Sequence, residues 1–338
     1  TNCQNGINII ASIGARIEGN IVGLEADGIT MAGNTQYGIV LQSDSVNVGG
    51  NSPAQANLIG DNQYGIGVIG DGNHIEGNII GTDITQTLNR GNSDIGINIH
   101  ANADSNLIVD NLMAHSLYGI IAHATTLANV FSQNSIYCNS QFGTRLGVGA
   151  NGSISFPVIV TPDISGVSGT ANPGDLIELF EHNTSGCIGA PCQGKTFLGS
   201  AITDAAGNWT VPGPFPIGMS VTATATDAGG TSMFSLCNAV DVILDGQATQ
   251  EEIEENLGLS DLQVSPNPAG RSCLIQWPFE GEVKLRLMDL QGRIIVHQGL
   301  EDSDTSYRLP LDKIAPGVYV VEVTSSFGER LSKRLIRQ

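Results

Sequence analysis

Gly96-Ile-Asn-Ile-His100 followed by Asn106-Leu-Ile-Val-Asp-Asn111 returns, 23 residues later, as Gly119-Ile-Ile-Ala-His123 followed by Asn129-Val-Phe-Ser-Gln-Asn134. The same two phrases run upstream. Gly38-Ile-Val-Leu41 and Gly65-Ile-Gly-Val68 repeat the first, and the asparagine pairs Asn57/Asn62 and Asn73/Asn78 repeat the second. A period near 23 built from short apolar steps with Gly and Asn at the corners suits one coil of a parallel β-helix, whose coils stack about 4.8 Å apart. Asn accepts left-handed backbone angles and bonds locally, which fits a corner. In register from coil to coil its amides bond along the stack, so Asn73, Asn78, Asn106, Asn111, Asn129 and Asn134 are the expected ladder. A leucine-rich repeat has a similar period, but its Leu-rich signature is missing.

A longer echo supports the coil. Ile17-Glu-Gly-Asn-Ile-Val-Gly23 reappears 58 residues on as Ile75-Glu-Gly-Asn-Ile-Ile-Gly81, and each copy is followed by an excursion, Leu24–Asn34 and Thr82–Asn92. Such excursions emerge from a solenoid as loops on one face. The phrases Val46-Asn-Val-Gly-Gly50, Ala56-Asn-Leu-Ile-Gly-Asp-Asn62 and Gly77-Asn-Ile-Ile-Gly-Thr-Asp83 resemble the right-handed parallel β-helix repeat regions of large bacterial surface and secreted proteins. The likeness spans residues 1–150 and implies a fold; that family holds lyases, hydrolases, adhesins and phage spikes, so it implies no single activity.

With 14 Lys and Arg against 33 Asp and Glu, the chain carries a net charge of -19 and no basic footprint for nucleic acid. No apolar run is long enough to span a bilayer. The chain begins at Thr1 within a repeat, so the solenoid is read as N-terminally incomplete. Of the six cysteines, Cys187 and Cys192 are close enough to clip a loop and are the expected disulfide. Cys3 and Cys138 lie at opposite ends of the solenoid, too far apart to bridge. A zinc site would need a second close pair.

After the solenoid the period changes. Over residues 153–245, Leu176–Phe180, Lys195–Gly199, Gly207–Val211 and Ser220–Thr226 alternate like strands between Gly- and Asp-containing turns, which predicts a small β-sandwich with Trp209 in its core. The order of these segments resembles bacterial Ig-like modules that follow β-helices. Residues 246–260, with Glu251, Glu252, Glu254 and Glu255, read as an acidic linker. Residues 261–338 form a third unit of about seven strands.

That last unit is similar to the type A C-terminal sorting domain of the type IX secretion system of Bacteroidetes. The residues that carry the resemblance are Pro266, Asn267 and Pro268, then Gly292 and Arg293, then Gly317 and Tyr319, and the basic end with Lys333 and Arg334. Ten of the 14 basic residues lie in this unit, so its charge differs from the rest of the chain. The fold class expected overall is all-β: a right-handed parallel β-helix followed by two small β-sandwich domains. The resemblance implies an extracellular or outer-surface location and the type IX secretion machinery as partner.

Little in the solenoid points to chemistry. His100 and His123 each follow their repeat Gly by four residues and so stack on neighbouring coils; Gln42 holds the same place after Gly38, which favours a structural stack. No catalytic residue is assigned, and His100, His123 and Asp110 are the candidates kept for test. No cofactor or metal site is assigned either. Asp- and Asn-rich turns offer hard oxygen ligands for calcium, yet the nonapeptide signature of calcium-binding solenoids is absent. The expected role is a secreted or cell-surface structural or adhesive protein contacting glycans, other surface proteins or copies of itself. The alternative is a polysaccharide-active lyase or hydrolase with its site on the β-helix.

Overall fold

Three short strands make one coil. In the computed structural model the first coil holds β1 (Asn5–Ile10), β2 (Arg16–Ile17) and β3 (Ile21–Val22); the second β4 (Tyr37–Gln42), β5 (Asn47–Gly49) and β6 (Leu58–Ile59); the third β7 (Tyr64–Val68), β8 (His74–Glu76) and β9 (Ile79–Ile80). The fourth holds β10 (Ile95–Ile99), β11 (Leu107–Val109) and β12 (Leu112–Ala114), the fifth β13 (Tyr118–Ala122), β14 (Val130–Ser132) and β15 (Ser135–Tyr137), and β16 (Phe142–Leu146) opens a sixth. Each strand pairs in parallel with its counterpart one coil away, giving a six-stranded first sheet (β1-β4-β7-β10-β13-β16) and two five-stranded sheets made of the second and third strands of each coil. The structure describes residues 1–182, 187, 192–241, 262–265, 267, 269–277, 282–289, 293–300, 306–325 and 330–337.

The interior is a set of stacked columns. Ile7, Ile39, Ile66, Ile97 and Ile120 are in register along the first sheet. Ile17, Val48, Ile75, Ile108 and Phe131 form the second column, and Val22, Ile59, Ile80, Met113 and Ile136 the third. All of them except Ile7 are buried, which places the core along the axis. Each coil alone has no apolar face to cover its own, so stacking supplies the burial.

Asparagines run up all three corners. One column is Asn20, Asn57, Asn78, Asn111 and Asn134; in each step the lower Asn donates from its backbone N to the side-chain oxygen above, as Asn78 does to Asn111 at 2.9 Å. A second column is Asn73, Asn106, Asn129 and Asn151. A third joins Asn34, Asn62 and Asn92. The pairs five apart therefore split between corners, and Asn57/Asn62 is not the counterpart of Asn73/Asn78. The 58-residue echo is two coils, since β2 and β8 flank β5.

The excursions stack on each other across the intervening coil. Ile84 N donates to Gly28 O at 3.1 Å and Arg90 Nε to Ile29 O at 2.5 Å. Gly81, just before the second excursion, has φ 90°, and a Cβ there would lie 1.8 Å from Ala114 O, so only glycine fits.

The sandwich closes the C-terminal end of the solenoid. Its strands are β17 (Val158–Asp163), β18 (Gly166–Thr170), β19 (Leu176–Glu181), β20 (Thr196–Ile202), β21 (Asn208–Pro212), β22 (Ser220–Asp227), β23 (Gly230–Thr231) and β24 (Asn238–Ala239). They form a three-stranded sheet, β17-β18-β21, and a larger one, β20-β19-β22-β23 with β24 on β22. Trp209 is buried in the core between them with Val167, Leu179 and Val211. Sandwich residues take the places a further coil would occupy: Thr231 N bonds Asn129 O at 3.0 Å, and Ile136 N bonds Gly194 O at 2.7 Å. Gln193 Oε1 accepts from Asn139 N at 3.1 Å, as a ladder Asn would. Solenoid and sandwich form one compact unit, Thr1–Ile243.

The expected Cys187–Cys192 bridge is corrected. Cys187 pairs with Cys138 and Cys192 with Cys237, with Cα separations of 5.0 and 5.5 Å. Cys138 ends the fifth coil where the sandwich abuts it, so long-range packing outweighs closeness in sequence. Cys3 is free and exposed; Cys273 is free and buried.

The second unit is Leu244–Gln338. The acidic linker at 246–260 lies outside the described residues. Strands β25 (Gln263–Ser265), β26 (Ser272–Gln276) and β29 (Ser306–Pro310) form one antiparallel sheet, and β28 (Ile294–Leu300), β27 (Val283–Asp289), β30 (Gly317–Ser325) and β31 (Arg330–Arg337) the other. Cys273, Ile275, Trp277, Leu285, Leu287 and Val321 lie in the core between them.

Candidate binding face on the solenoid

The outer face of the first sheet collects the rings of the solenoid. A Cβ on Gly38 would meet Ile59 and Asn62, so this position faces inward, as Ile39 does, while the Tyr37 ring lies on the other side of the sheet. The ring of Tyr37 then lies over Gly67, where a Cβ would sit 2.5 Å from it. Tyr37 and Tyr64 stand 5.0 Å apart, Tyr37 and His100 6.0 Å, and His100 and His123 6.0 Å. Towards the sandwich, Tyr118 and Phe142 stack at 6.3 Å, and Arg145 lies 5.5 Å above the Tyr118 ring.

Hydrogen bonds order this row. His100 Nε2 faces two donors, the Tyr37 hydroxyl at 2.9 Å and Asn98 Nδ2 at 3.3 Å, so the network assigns it as an acceptor. His123 Nε2 lies 2.9 Å from Asn98 Oδ1 and donates to it. The Asn98 amide thus links the two imidazoles. Burial, and then the neighbouring His123, hold His100 below its ordinary imidazole range. Burial raises the Tyr37 phenol, and burial followed by the charge of Asp94 raises that of Tyr64.

The candidates singled out in the sequence are only partly assembled. His100 and His123 are neighbours, as their spacing predicts, but through Asn98 rather than a shared proton. Asp110 is elsewhere, on the left-handed turn between β11 and β12 with φ 55°. His115 occupies a similar turn at φ 60° and packs edge-on against Tyr137. Among the described residues no three His, Cys, Asp or Glu side chains converge as a metal-ligand set. What this face offers is a ring-bearing surface edged with amides and hydroxyls, with Tyr37 buried and His123 and Phe142 exposed.

One feature of the second sheet was not foreseen. Between β5 and β6 the second coil carries residues 50–56, absent from its neighbours, which roof a polar cleft of about 280 Å³. The longer spacing from Gly49 to Asn57 and the turn Ser52-Pro-Ala-Gln55 are the signals that mark it.

In the second unit, the described residues that carry the resemblance are tied into the fold by local contacts. Asn267 Oδ1 accepts from Ile336 N at 2.8 Å, pinning the segment before β26 to the last strand. Arg293 Nε meets Asp289 Oδ2 at 2.7 Å across the β27–β28 turn. The Tyr319 hydroxyl donates to Ala315 O at 2.8 Å, just past which Gly317 opens β30. Lys333 and Arg334 lie on β31 opposite Val321 and Val320. Pro266, Pro268 and Gly292 lie outside the described residues.

Residues 263–338 match the family described as "Secretion system C-terminal sorting domain". No curated protein matches the chain. Among solved structures, the BSP domain of a biofilm associated protein is 13% identical, covering 54% of this chain and 29% of that one, with a TM-score of 0.19. The FN1-FN3 domains of chicken CNTN1 are 12% identical over 55% of this chain and 67% of that one, at a TM-score of 0.19. Dimeric latent PorU from Porphyromonas gingivalis is 15% identical over 58% of this chain and 22% of that one, also at 0.19. The sorting tail marks a secreted or cell-surface protein exported by the type IX system and implies contact with that machinery. Among the described residues no helix is long and apolar enough to cross a membrane.

Proposed function

We propose that this chain is the displayed part of an adhesive surface protein, a stiff solenoid whose first sheet binds glycan chains of a neighbouring surface. The observation that carries this reading is the row of rings along the first sheet, His100 against His123 and Tyr118 against Phe142, with Tyr64 packed on the buried Tyr37 beneath. Rings repeating from coil to coil suit a polymer with a repeating flat face, and Asn8, Gln42, Asn98 and Arg145 lie on the same sheet as hydrogen-bonding groups. The sandwich serves as the cap of the solenoid's C-terminal end, which directs self-association away from that end.

The enzymatic alternative gains no support from the candidate residues. His100 and His123 are joined through the Asn98 amide, and Asp110 lies on another corner from both. The test is retention of purified protein on insoluble cell-wall and capsular polysaccharides, comparing wild type with Tyr64→Ala and Tyr118→Ala. Retention lost in both variants supports the reading; retention of neither wild type nor variants refutes it.

A further inference from the structure

We infer that the cleft on the second sheet is a binding site for a neutral sugar unit, separate from the ring-bearing face and resting on the adhesive reading above. Arg16, Asn47 and His74 come from three consecutive coils and stand in register along this sheet. The loop at 50–56 folds back towards the first coil, with Gly19 N donating to Gln55 O at 3.0 Å, and so walls the cleft. Ser52 Oγ donates to Gln55 Oε1 at 2.9 Å and Gln55 N to Ser52 O at 2.9 Å, which fixes the wall before any ligand arrives.

Of the polar groups facing this space, one is buried and unpaired and two amides are left to solvent. The side chains of Asn47 and Asn51 make no hydrogen bond among the described residues. His74 Nε2 is buried without a hydrogen-bond partner, and its nearest acidic neighbour, Glu76 Oε2, is 3.6 Å away, too long for one. A buried unpaired nitrogen costs free energy unless something completes it.

The chemistry of the lining selects the ligand. Amides offer donor and acceptor together, and Glu76 offers an acceptor; a pair of adjacent hydroxyls needs that mixture, because each hydroxyl both donates and accepts. An acidic sugar would bring a carboxylate towards Glu76 in a chain of net charge -19, while the one arginine, Arg16, is already paired with Glu18 at 3.1 Å. A neutral sugar meets no such repulsion. The small volume and polar lining do not suit an apolar ligand, whose pockets are mostly hydrophobic.

The test is titration of the protein with methyl mannoside, methyl galactoside and N-acetylglucosamine, with glucuronate as the acidic comparison, followed by NMR or calorimetry. The variants are Asn47→Ala and Glu76→Gln, each with its thermal midpoint measured, and Tyr64→Ala as the control on the other sheet. Binding of at least one neutral sugar, weakened about tenfold or more in each cleft variant and unchanged in Tyr64→Ala, supports the site. No neutral sugar bound by wild type, tighter binding of glucuronate, or full binding in folded cleft variants overturns it. Polysaccharide retention that depends on Tyr64 and Tyr118 would survive that result, so the two readings fail separately.

Discussion

Asn92 and Ser116 meet at the broken rung of an otherwise continuous ladder: Asn92 Nδ2 has no acceptor and Ser116 Oγ has no partner, though both are buried. Below them Asn62 N donates to Asn92 Oδ1, and above them Ser116 N donates to Asn139 Oδ1 at 3.1 Å. Serine is one amide too short to span the step. Ser116→Asn restores the rung and is expected to stabilise the first unit by about 1–2 kcal/mol, read as a shift in the urea midpoint. A variant less stable than wild type would show that the gap is too small for the amide.

Removing a complete rung should act in the opposite sense. Asn111 donates to Ile75 O, Val109 O and Asn134 Oδ1 and accepts from Asn78. Asn111→Ala leaves several of these groups buried and unpaired, a loss of about 3–5 kcal/mol. The thermal midpoint should fall by on the order of 10 °C. A change of a degree or two would mean that water replaces the amide.

The disulfides can be checked chemically. Alkylation of the native protein should label Cys3 alone, since Cys273 is buried and its thiol is pushed up to about 11. Non-reducing peptide maps should recover Cys138 linked to Cys187 and Cys192 linked to Cys237. A linked Cys187–Cys192 peptide would refute the junction between solenoid and sandwich described above. Replacing Cys192 and Cys237 by serine should cost about 2–4 kcal/mol.

His100 sets a direction for pH dependence. Its folded pKa is depressed below the ordinary 6.5, first by burial and then by His123. The unfolded chain therefore takes up a proton that the folded one refuses, so this contribution is complete above pH 6.5 and is lost as pH falls through the folded pKa. His115, lowered by burial, adds the same sign. Glu178, raised by burial at the junction with Ser132, has the opposite sign: its contribution is present below 4.5 and fades as pH rises through its folded pKa. Denaturation midpoints should drop as pH falls below 6.5, and His100→Gln should flatten that drop. An equal drop in the variant would remove His100 as its source.

The coil was legible because its evidence is periodic. Gly96 to Gly119 and Asn106 to Asn129 read directly as register, and the structure pairs Ile97 with Ile120 and Asn106 with Asn129. The split of Asn57/Asn62 and Asn73/Asn78 between corners was not, because spacing along the chain does not say which corner a pair begins at. The Cys138–Cys187 pairing and the use of Gln193 as a ladder residue depend on how the sandwich packs against the last coil, a contact between segments more than 40 residues apart. The ring row was half visible: the histidines follow the repeat, whereas Tyr37 reaches His100 across two coils only because Gly67 leaves room beneath its ring.

The most direct measurement is to incubate the purified chain with acidic and neutral polysaccharides and record both retention and the appearance of new reducing or unsaturated ends. Retention without new ends is the predicted result. Release of ends that disappears in His100→Ala or Asp110→Ala would contradict the account and make the solenoid an enzyme.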